Sequence, residues 1–470
     1  MSPFARVLHP DSKDFLRRLW HLAVPVSIQA MMFSILGLID IVMVGHLGES
    51  AVAAVGLGNR IFFFNLILTA ALGGGMSVLA SQFIGAGDEG GLRRTLCQAL
   101  VSAVLMNLPF ILAYLFVPEW LLGLASSDAT LLDQAVTYMM ITGPSIFCTA
   151  VVVPIEAALR ASGDTKTPTW VGFYAIVVNV ILNYVLIFGE FGFPEMGVAG
   201  SAWGTTLSRL FQTLVLAVFI YRQKRHLIPS AEDIAKASQK KEIQRYLGVA
   251  LPVLLQDGLW AFGVVLYNVI YARIGVDELA VMSAVSSIEG ILMSLFIGFG
   301  IGCSIMLGQE LGAKRFDRAW VQGVTVMGIA PLVALLIGAL LIVFRTSIVS
   351  LFGQFDAETQ SLADTVMVIS GLALFIRVIN FTGIIGLLRS GGDVRYSAVL
   401  NIIGMWGFGV PMALCGAFIF KLPLYWVFVC ALSEEIVKMF MVVWRIHSKR
   451  WLKNLVADPV DELMEVHKAA

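Results

Sequence analysis

Residues 30–45 read AMMFSILGLIDIVMVG, and Asp40 is the charged residue in this otherwise uncharged stretch. The apolar run extends from about Leu22 to Val44, which at about 1.5 Å per residue is long enough to cross a bilayer as a helix. An ionised carboxylate inside a spanning helix costs about 2.5–3.5 kcal/mol, so such acids usually mark a path for ions or substrates. A structural contact with a neighbouring helix is the alternative use of Asp40.

The composition is that of a polytopic membrane protein built from helices. Of the 470 residues, 58% are hydrophobic and 14% are charged, with a mean hydropathy of +0.85, whereas soluble proteins contain about 25% charged residues. The N-terminal residues MSPFARVLHPDSKDFLRRLW lack the apolar core of a cleaved signal peptide, so we expect the mature chain to begin there. The apolar runs predict an all-α fold with twelve spans, approximately 22–45, 55–84, 94–117, 134–158, 168–189, 197–221, 247–272, 280–309, 320–344, 362–388, 396–420 and 424–446.

Lysine and arginine are distributed unequally between the two sets of loops. If the N-terminus is cytoplasmic, 25 of the 32 basic side chains fall in cytoplasmic loops and termini. The opposite face receives Arg273, Arg345 and Lys421. Cytoplasmic loops of membrane proteins carry such an excess of positive charge, so we expect both termini to be cytoplasmic.

Residues typical of metal, redox or nucleotide chemistry are scattered in this sequence. The five cysteines each lie inside a predicted span without metal-like or redox spacing, and the six histidines lie in loops or at helix ends. No GxxxxGK[ST] loop is present to bind ATP phosphates. The sequence therefore predicts no cofactor and no enzymatic activity. A duplicated channel or a membrane-embedded enzyme is the alternative.

The chain contains an internal repeat of six helices. Residue types recur at a constant offset, as in Pro25 and Pro252, and at a slightly larger offset in a later block, as in Arg160 and Arg389. An even number of spans means that both copies enter the membrane from the same side, as in transporters that rock two lobes about a central cavity. Repeated glycines such as Gly75, which recurs at position 302, favour close helix packing. The predicted organisation is an N-terminal six-helix lobe (1–221), a cytoplasmic linker (222–246), a C-terminal six-helix lobe (247–446) and a cytoplasmic tail (447–470).

Four polar side chains of the first lobe fall at similar depth in the predicted membrane. Counted from the outer helix ends, Asp40 and Asn183 lie about 9 Å deep, and Asn179 lies one turn below Asn183. Thr205 lies about 12 Å deep. Carboxylate, amide and hydroxyl oxygens suit Na⁺, and the carboxylate could instead carry H⁺. These four residues therefore form a predicted ion-coupling site, with Asp40 as a metal ligand if the ion is Na⁺; hydrogen bonding between helices is the alternative use of the asparagines.

The second lobe has ionisable residues of its own. Asp257 and Arg377 fall at comparable depth, so we expect either an ion pair between them or a direct part in transport. Glu434 and Lys438 have i, i+4 spacing and are expected to neutralise each other. Glu156 and Arg160 share that spacing, and Glu289 and Arg209 have no obvious partner.

Aromatic side chains could offer ring faces to an organic cation. Trp260 and Tyr267 are the candidates for a substrate cavity, although single aromatic residues more often face lipid or the core. Tyr267 occupies the repeat position of Asp40, so the two lobes differ in chemistry. At this position, only the first copy has an acid.

Several of these segments resemble the multidrug and toxic compound extrusion (MATE) family, especially its NorM-like bacterial members. They are LIDIVMVGHLG with Asp40, the AVAAVG that follows, LRASGDTKTP at 159–168, NVILNY at 179–184 and GVAGSAWGTT at 197–206. The resemblance covers essentially all twelve predicted helices. It implies two six-helix bundles in a V, an inward–outward rocking cycle and Na⁺- or H⁺-driven export of organic, mostly cationic compounds. It also implies that Asp40 is the essential coupling carboxylate, with the two asparagines and Thr205 beside it.

The chain departs from the family pattern at two positions. Some bacterial relatives have a second acid one turn after the first asparagine of the fifth helix, where this chain has Asn183. A site with one carboxylate is poorly charged for Na⁺ and sufficient for H⁺, which favours H⁺. NorM-like and eukaryotic members also resemble each other in a seventh-helix glutamate eight residues after the proline, where this chain has Trp260.

These features together predict a cation-coupled antiporter, driven by H⁺ or Na⁺, that exports organic and often cationic compounds by alternating access. We expect a monomer in the bacterial inner (plasma) membrane that binds small organic molecules and the lipid bilayer, and no nucleic acid. The alternative within the same superfamily is a flippase for lipid-linked sugars or lipids. A flippase should have a more basic cavity and often has additional helices.

Overall fold

The structure, a computed structural model, describes residues 10–123, 128–350 and 356–457. In these ranges the chain is helical and contains no β-strand, which confirms the predicted all-α class. Long helices follow one another with short connections. They are α1 (Pro10–Gly45), α2 (Glu49–Gly85), α3 (Glu89–Phe116), α4 (Ala129–Ala161), α5 (Lys166–Phe188), α6 (Gly197–Gln223), α7 (Lys240–Ile274), α8 (Val276–Gly312), α9 (Phe316–Val343), α10 (Ala357–Leu388), α11 (Val394–Ile419) and α12 (Leu424–His447).

Helices α1 to α11 are each long and apolar enough to cross a membrane. Helix α12 has 24 residues, so at about 1.5 Å per residue it also reaches across a hydrocarbon core of about 30 Å. It differs from the others in that three charged residues, Glu434, Glu435 and Lys438, lie close together in its middle. The twelve predicted spans therefore correspond to twelve helices, the last of which carries a group of charges.

Side chains in the loops determine where several helices begin and end. Asp88, Asp128 and Asp356 accept hydrogen bonds from backbone N–H groups at the starts of α3, α4 and α10. Each carboxylate thereby satisfies donors that have no partner within the helix. Gly189 caps the C-terminal end of α5, and its φ of 72° lies in the left-handed region that glycine adopts without steric cost.

The chain forms two compact units whose borders lie inside helices. The first unit contains residues 28–80 and 88–254, and the second contains residues 1–27, 81–87 and 255–470, as far as these are described. The borders thus cut α1 and α7, whereas the sequence places the change of lobe in the linker at 222–246. The predicted tail at 447–470 is described up to residue 457.

Repeated glycines explain why α1 and α7 each contribute to both units. In the first unit, a Cβ on Gly75 of α2 would lie 2.7 Å from the Cα of Ala250 on α7. In the second unit, a Cβ on Gly302 of α8 would lie 3.3 Å from the backbone nitrogen of Ala23 on α1. The two glycines occupy equivalent positions of the repeat and so do the two alanines, so the repeat makes the same close contact twice. The predicted use of these glycines in close helix packing is confirmed.

Most of the predicted linker has regular structure. Residues Arg225–Leu227 and Ala231–Ala237 form short helices, and α7 begins at Lys240. Arg93 of α3 contacts Asp233 with an N–O distance of 2.6 Å. Burial opposes ionisation of this carboxyl, but hydrogen bonds from Arg93 and Ser230 hold the pKa of Asp233 at about 2. The linker is therefore bound to the start of α3.

Residues 448–457 fold back on the second unit. The indole of Trp451 is fully buried, and Asn454 Nδ2 donates to the carbonyls of Leu311 and Gly312 at 3.0 and 3.1 Å. These carbonyls belong to the last turn of α8, where no partner within the helix is available. The start of the tail thus caps α8.

Candidate ion-coupling site

Asp40 of α1 and an asparagine of α5 are in direct contact within the first unit. Asn183 Nδ2 donates to Asp40 Oδ1 at 2.7 Å and to Asn179 Oδ1 at 3.2 Å. Asn179 Nδ2 in turn donates to Ser208 Oγ of α6 at 3.4 Å. The acid and both asparagines of the predicted site therefore lie in one chain of polar contacts that links α1, α5 and α6.

A glycine permits the close approach of α5 and α6 at this point. A Cβ on Gly204 would overlap with Asn183 Oδ1. Asn183 is fully buried, and this oxygen has no hydrogen-bond partner in the described part of the chain. An amide oxygen without a donor, next to a carboxylate, is a free acceptor for a proton donor or a cation.

Thr205 joins the site through a tyrosine. Its side chain interacts with the hydroxyl of Tyr138 on α4, and that hydroxyl donates to Asn59 Oδ1 of α2 at 2.9 Å. The Thr205 carbonyl accepts from Ser208 Oγ at 2.9 Å, which leads back to Asn179. Sequence reasoning missed Tyr138 and Asn59, because nothing in their spacing marks contacts between separate helices.

A second polar network lies around Glu156 of α4. Arg160 Nη1 contacts Glu156 Oε2 at 3.1 Å, which confirms the predicted i, i+4 pair. Gln29 of α1 and Gln212 of α6 also donate to this carboxylate, at 3.3 and 3.2 Å. The Glu156 carboxylate is buried and compensated by these donors, as a stable buried charge requires.

Arg209 of α6, which had no obvious partner in the sequence, connects the two networks. Its guanidinium donates to Gln212 Oε1 at 3.1 Å and interacts electrostatically with both Glu156 and Asp40. Thr205, Arg209 and Gln212 are spaced i, i+4 and i+7, so they share one face of α6. This polar stripe is the sequence signal that could have identified Arg209.

Asp257 and Arg377 of the second unit have separate partners, so the expected ion pair between them is wrong. Asp257 of α7 pairs with Arg389 at the end of α10, and Arg377 of α10 pairs with Glu289 of α8 at 2.5 Å. Depth in the membrane gave the height of each side chain but not its direction around the helix axis. Direction decides which neighbour a side chain meets.

Three charged residues in the middle of α12 form a group. Lys438 Nζ lies 3.5 Å from Glu434 Oε1, which confirms the predicted pair, and 3.2 Å from Glu435 Oε1, which sequence reasoning missed. In the described ranges, no group of three or more His, Cys, Asp and Glu side chains has the arrangement of a metal site.

The two aromatic candidates for a substrate cavity lie in different surroundings. The Tyr267 hydroxyl donates to Glu434 Oε2 at 3.1 Å, and its ring stacks on that of Tyr271 with centroids 6.4 Å apart. Trp260 is 42% exposed and lines a shallow notch together with Trp406. Tyr267 thus belongs to the charged group of α12, and Trp260 belongs to the surface of its helix.

A protein-family model, MatE, matches the chain twice, at residues 25–185 and 252–415. The two matches start at the repeated prolines, Pro25 and Pro252, and together they cover more than half of the chain. The chain belongs to the MATE family. Members of this family are transporters, so the expectation that the chain is not an enzyme is confirmed.

Named relatives and solved structures agree with this assignment to the MATE family. The chain is 24% identical over 452 residues to the uncharacterised transporter YisQ of Bacillus subtilis, covering 95% of this chain and 97% of YisQ. It is 24% identical over 446 residues to the probable multidrug resistance protein NorM of Thermotoga maritima, covering 94% of each chain. A MATE structure in complex with MaL6 has the same fold, with a TM-score of 0.84 at 19% identity over 92% of this chain and 96% of that one. The chain is therefore a transporter of the MATE family and a polytopic membrane protein.

Proposed function

We propose that this MATE transporter is a cation-coupled antiporter that exports organic, often cationic compounds. The observation that carries the proposal is the contact between Asp40 and Asn183 inside a buried polar chain. A carboxylate in such a place can bind an ion on one side of the membrane and release it on the other. Asn179, Asn183 and Thr205 would hold the carboxylate and accept part of the ion's hydrogen bonds or coordination.

We propose H⁺ as the coupling ion. The immediate hydrogen-bond donor to Asp40 is a neutral amide, so the site offers one negative charge, and one carboxylate is sufficient to carry a proton. For Na⁺, the free Oδ1 of Asn183 and the Asp40 carboxylate would supply hard oxygen ligands but only a single charge. In either case the ion is transported, so it is a substrate and not a resident cofactor.

Alternating access of a six-helix N-terminal lobe and a six-helix C-terminal lobe would exchange the ion for the organic substrate. The distribution of Lys and Arg supports cytoplasmic termini in a bacterial inner membrane. We further propose that the transporter works as a monomer without nucleic acid. In a variant lacking the five native cysteines, an impermeant thiol reagent should label a cysteine at Gly192 from outside intact cells. It should reach one at Ser238 only after permeabilisation, and the reverse pattern would contradict this orientation.

Everted membrane vesicles test the proposal directly. An imposed pH gradient without Na⁺ should drive accumulation of ethidium, a fluorescent organic cation. Strict dependence on a Na⁺ gradient would overturn the choice of H⁺ while leaving the antiporter. If neither gradient moved ethidium, and the protein instead translocated a lipid-linked sugar, the flippase alternative would replace the antiporter.

A further inference from the structure

Five buried or partly buried ionisable side chains of the second unit form one group, here named the α12 charge cluster: Glu289, Arg377, Glu434, Glu435 and Lys438. Arg377 pairs with Glu289 at 2.5 Å, and Lys438 lies within 3.5 Å of both α12 glutamates. Arg377 also interacts electrostatically with Glu434 and Glu435. The two pairs are therefore parts of a single electrostatic unit.

The α12 charge cluster has three acids and only two bases. If all five groups are ionised, one negative charge remains uncompensated. An uncompensated charge inside a membrane protein is costly, and such groups normally bind an opposite charge or become neutral by taking up a proton. The cluster is therefore one positive charge short of balance.

The contacts assign the surplus charge to Glu434. Glu289 is held by Arg377 and by the hydroxyl of Ser370. Glu435 is held by Lys438 at 3.2 Å and by Asn380 Nδ2 at 2.6 Å. Glu434 shares the same lysine at the longer distance of 3.5 Å and otherwise accepts from the Tyr267 hydroxyl. It is the least compensated of the three carboxylates.

Asn380 of α10 gives an independent indication of an incomplete site. Its side chain is only 3% exposed, and its amide faces Glu435, to which Nδ2 donates. Its Oδ1 has no hydrogen-bond partner among the residues that the structure describes. A buried amide oxygen without a donor next to a negatively charged group marks a place where a proton donor is missing.

The internal repeat relates this place to Asp40. Tyr267 is the repeat counterpart of Asp40, and the acid that touches it comes from α12, the last helix of the second copy. Helix α11 leaves room for this contact, because a Cβ on Gly409 would overlap with the Tyr267 hydroxyl. In the second copy the first helix thus supplies a hydroxyl and the last helix supplies the acid.

We propose that Glu434 is a second proton site, which binds and releases one proton in each transport cycle. This inference rests on the proposed proton-driven antiport and adds its stoichiometry. One proton joins the Glu434 carboxylate from the solution on one side and leaves to the solution on the other, with no other bond made or broken. The titratable and charged groups that face Glu434 are Tyr267 and Tyr271 of α7, Arg377 of α10, and Glu435 and Lys438 of α12. Glu289 of α8 pairs with Arg377.

Steady-state accumulation of ethidium in proteoliposomes counts the protons. With the membrane potential held at zero, the logarithm of the accumulation ratio rises with the imposed pH difference, and the slope equals the number of protons exchanged per substrate. Linkage predicts a slope of about two for the unmodified protein and about one for Glu434→Gln. Glu434→Asp keeps an ionisable group and should keep a slope of about two. Glu358→Gln, an exposed acid at the start of α10, is the matched control and should leave the slope unchanged.

Each remaining outcome decides the inference. A slope of about one in the unmodified protein, or an unchanged slope in Glu434→Gln, would overturn the second proton site and leave proton-driven antiport intact. Failure of the unmodified protein to accumulate ethidium under a pH gradient would instead refute the proposed proton coupling, on which the inference rests. Glu434→Gln leaves two acids balanced by two bases, so it should reach the membrane and unfold at no lower temperature than the unmodified protein. Its absence from membranes would also contradict the inference.

Discussion

The two units share a duplicated helix plan but surround the acids within their helices in opposite ways. In the first unit, Asp40 accepts a hydrogen bond from a neutral amide of Asn183 and has Arg209 as a charged neighbour. In the second unit, Glu434 lies among two further acids and two bases. Duplication has thus preserved the helix contacts, as at Gly75 and Gly302, while the chemistry of the two copies has diverged.

Because of this difference, the two units should respond differently to a proton. Asp40 is the only acid in its chain of hydrogen bonds, so its protonation removes the only negative charge of that chain. In the α12 charge cluster, most of the charge is compensated internally, and one proton on Glu434 completes the balance. Removal of a base from the α12 charge cluster should therefore destabilise the second unit more than loss of an amide destabilises the first.

The largest effect on stability is expected for Arg377→Gln. Removal of the Arg377 guanidinium leaves Glu289 without a basic partner and gives the α12 charge cluster a second uncompensated negative charge. Breaking a buried ion pair costs about 3–5 kcal/mol, so the free energy of unfolding in detergent should fall by that order. A change below about 1 kcal/mol would show that the cluster is well solvated.

A smaller effect is expected for Asn183→Ala. The substitution removes the 2.7 Å hydrogen bond to Asp40 and relieves no charge imbalance. A hydrogen bond to a charged group contributes about 1.5–3 kcal/mol, so unfolding free energy should fall by less than in Arg377→Gln, and ethidium transport should weaken without disappearing. A larger loss of stability than in Arg377→Gln would reverse the comparison between the units.

The smallest effect is the coupling energy between Asp257 and Arg389, since the Asp257 side chain is 26% exposed. A double-mutant cycle of Asp257→Asn and Arg389→Gln should give a coupling of about 1 kcal/mol in unfolding free energy. The matched control is the cycle of Asp257→Asn with Arg377→Gln, which should be additive because each residue has another partner. Coupling in the control and none in the test pair would restore the pairing expected from the sequence.

The sequence was informative where apolar length, repeat spacing and helical periodicity carry the structure. Apolar runs locate the helices, and the constant offset of the repeat identifies the contact that Gly75 and Gly302 each make. The i, i+4 spacing finds Glu156 with Arg160, because both residues belong to one helix.

The pairing of charged side chains on separate helices of the second unit was not predictable from this sequence. Depth placed Arg377 level with Asp257 but could not reveal Glu289 as its partner, because rotation about a helix axis is not visible in depth. The contacts of Tyr138 with Asn59 and of Asn380 with Glu435 depend on packing that no local pattern encodes. Likewise, α1 and α7 each contribute to both units because of glycine contacts, which loop composition does not reveal.

The central claim is that the charge of Asp40 couples an ion to export. The direct measurement is ethidium movement driven by an imposed pH gradient in everted vesicles containing Asp40→Asn, a substitution that keeps the shape of the side chain and removes its ionisable group. Asp277→Asn, an exposed acid in the first turn of α8, is the matched control. Asp40→Asn should be present in membranes at the normal level but show no gradient-driven movement, whereas the control should transport normally. Unimpaired movement in Asp40→Asn vesicles would contradict a coupling role of the Asp40 charge.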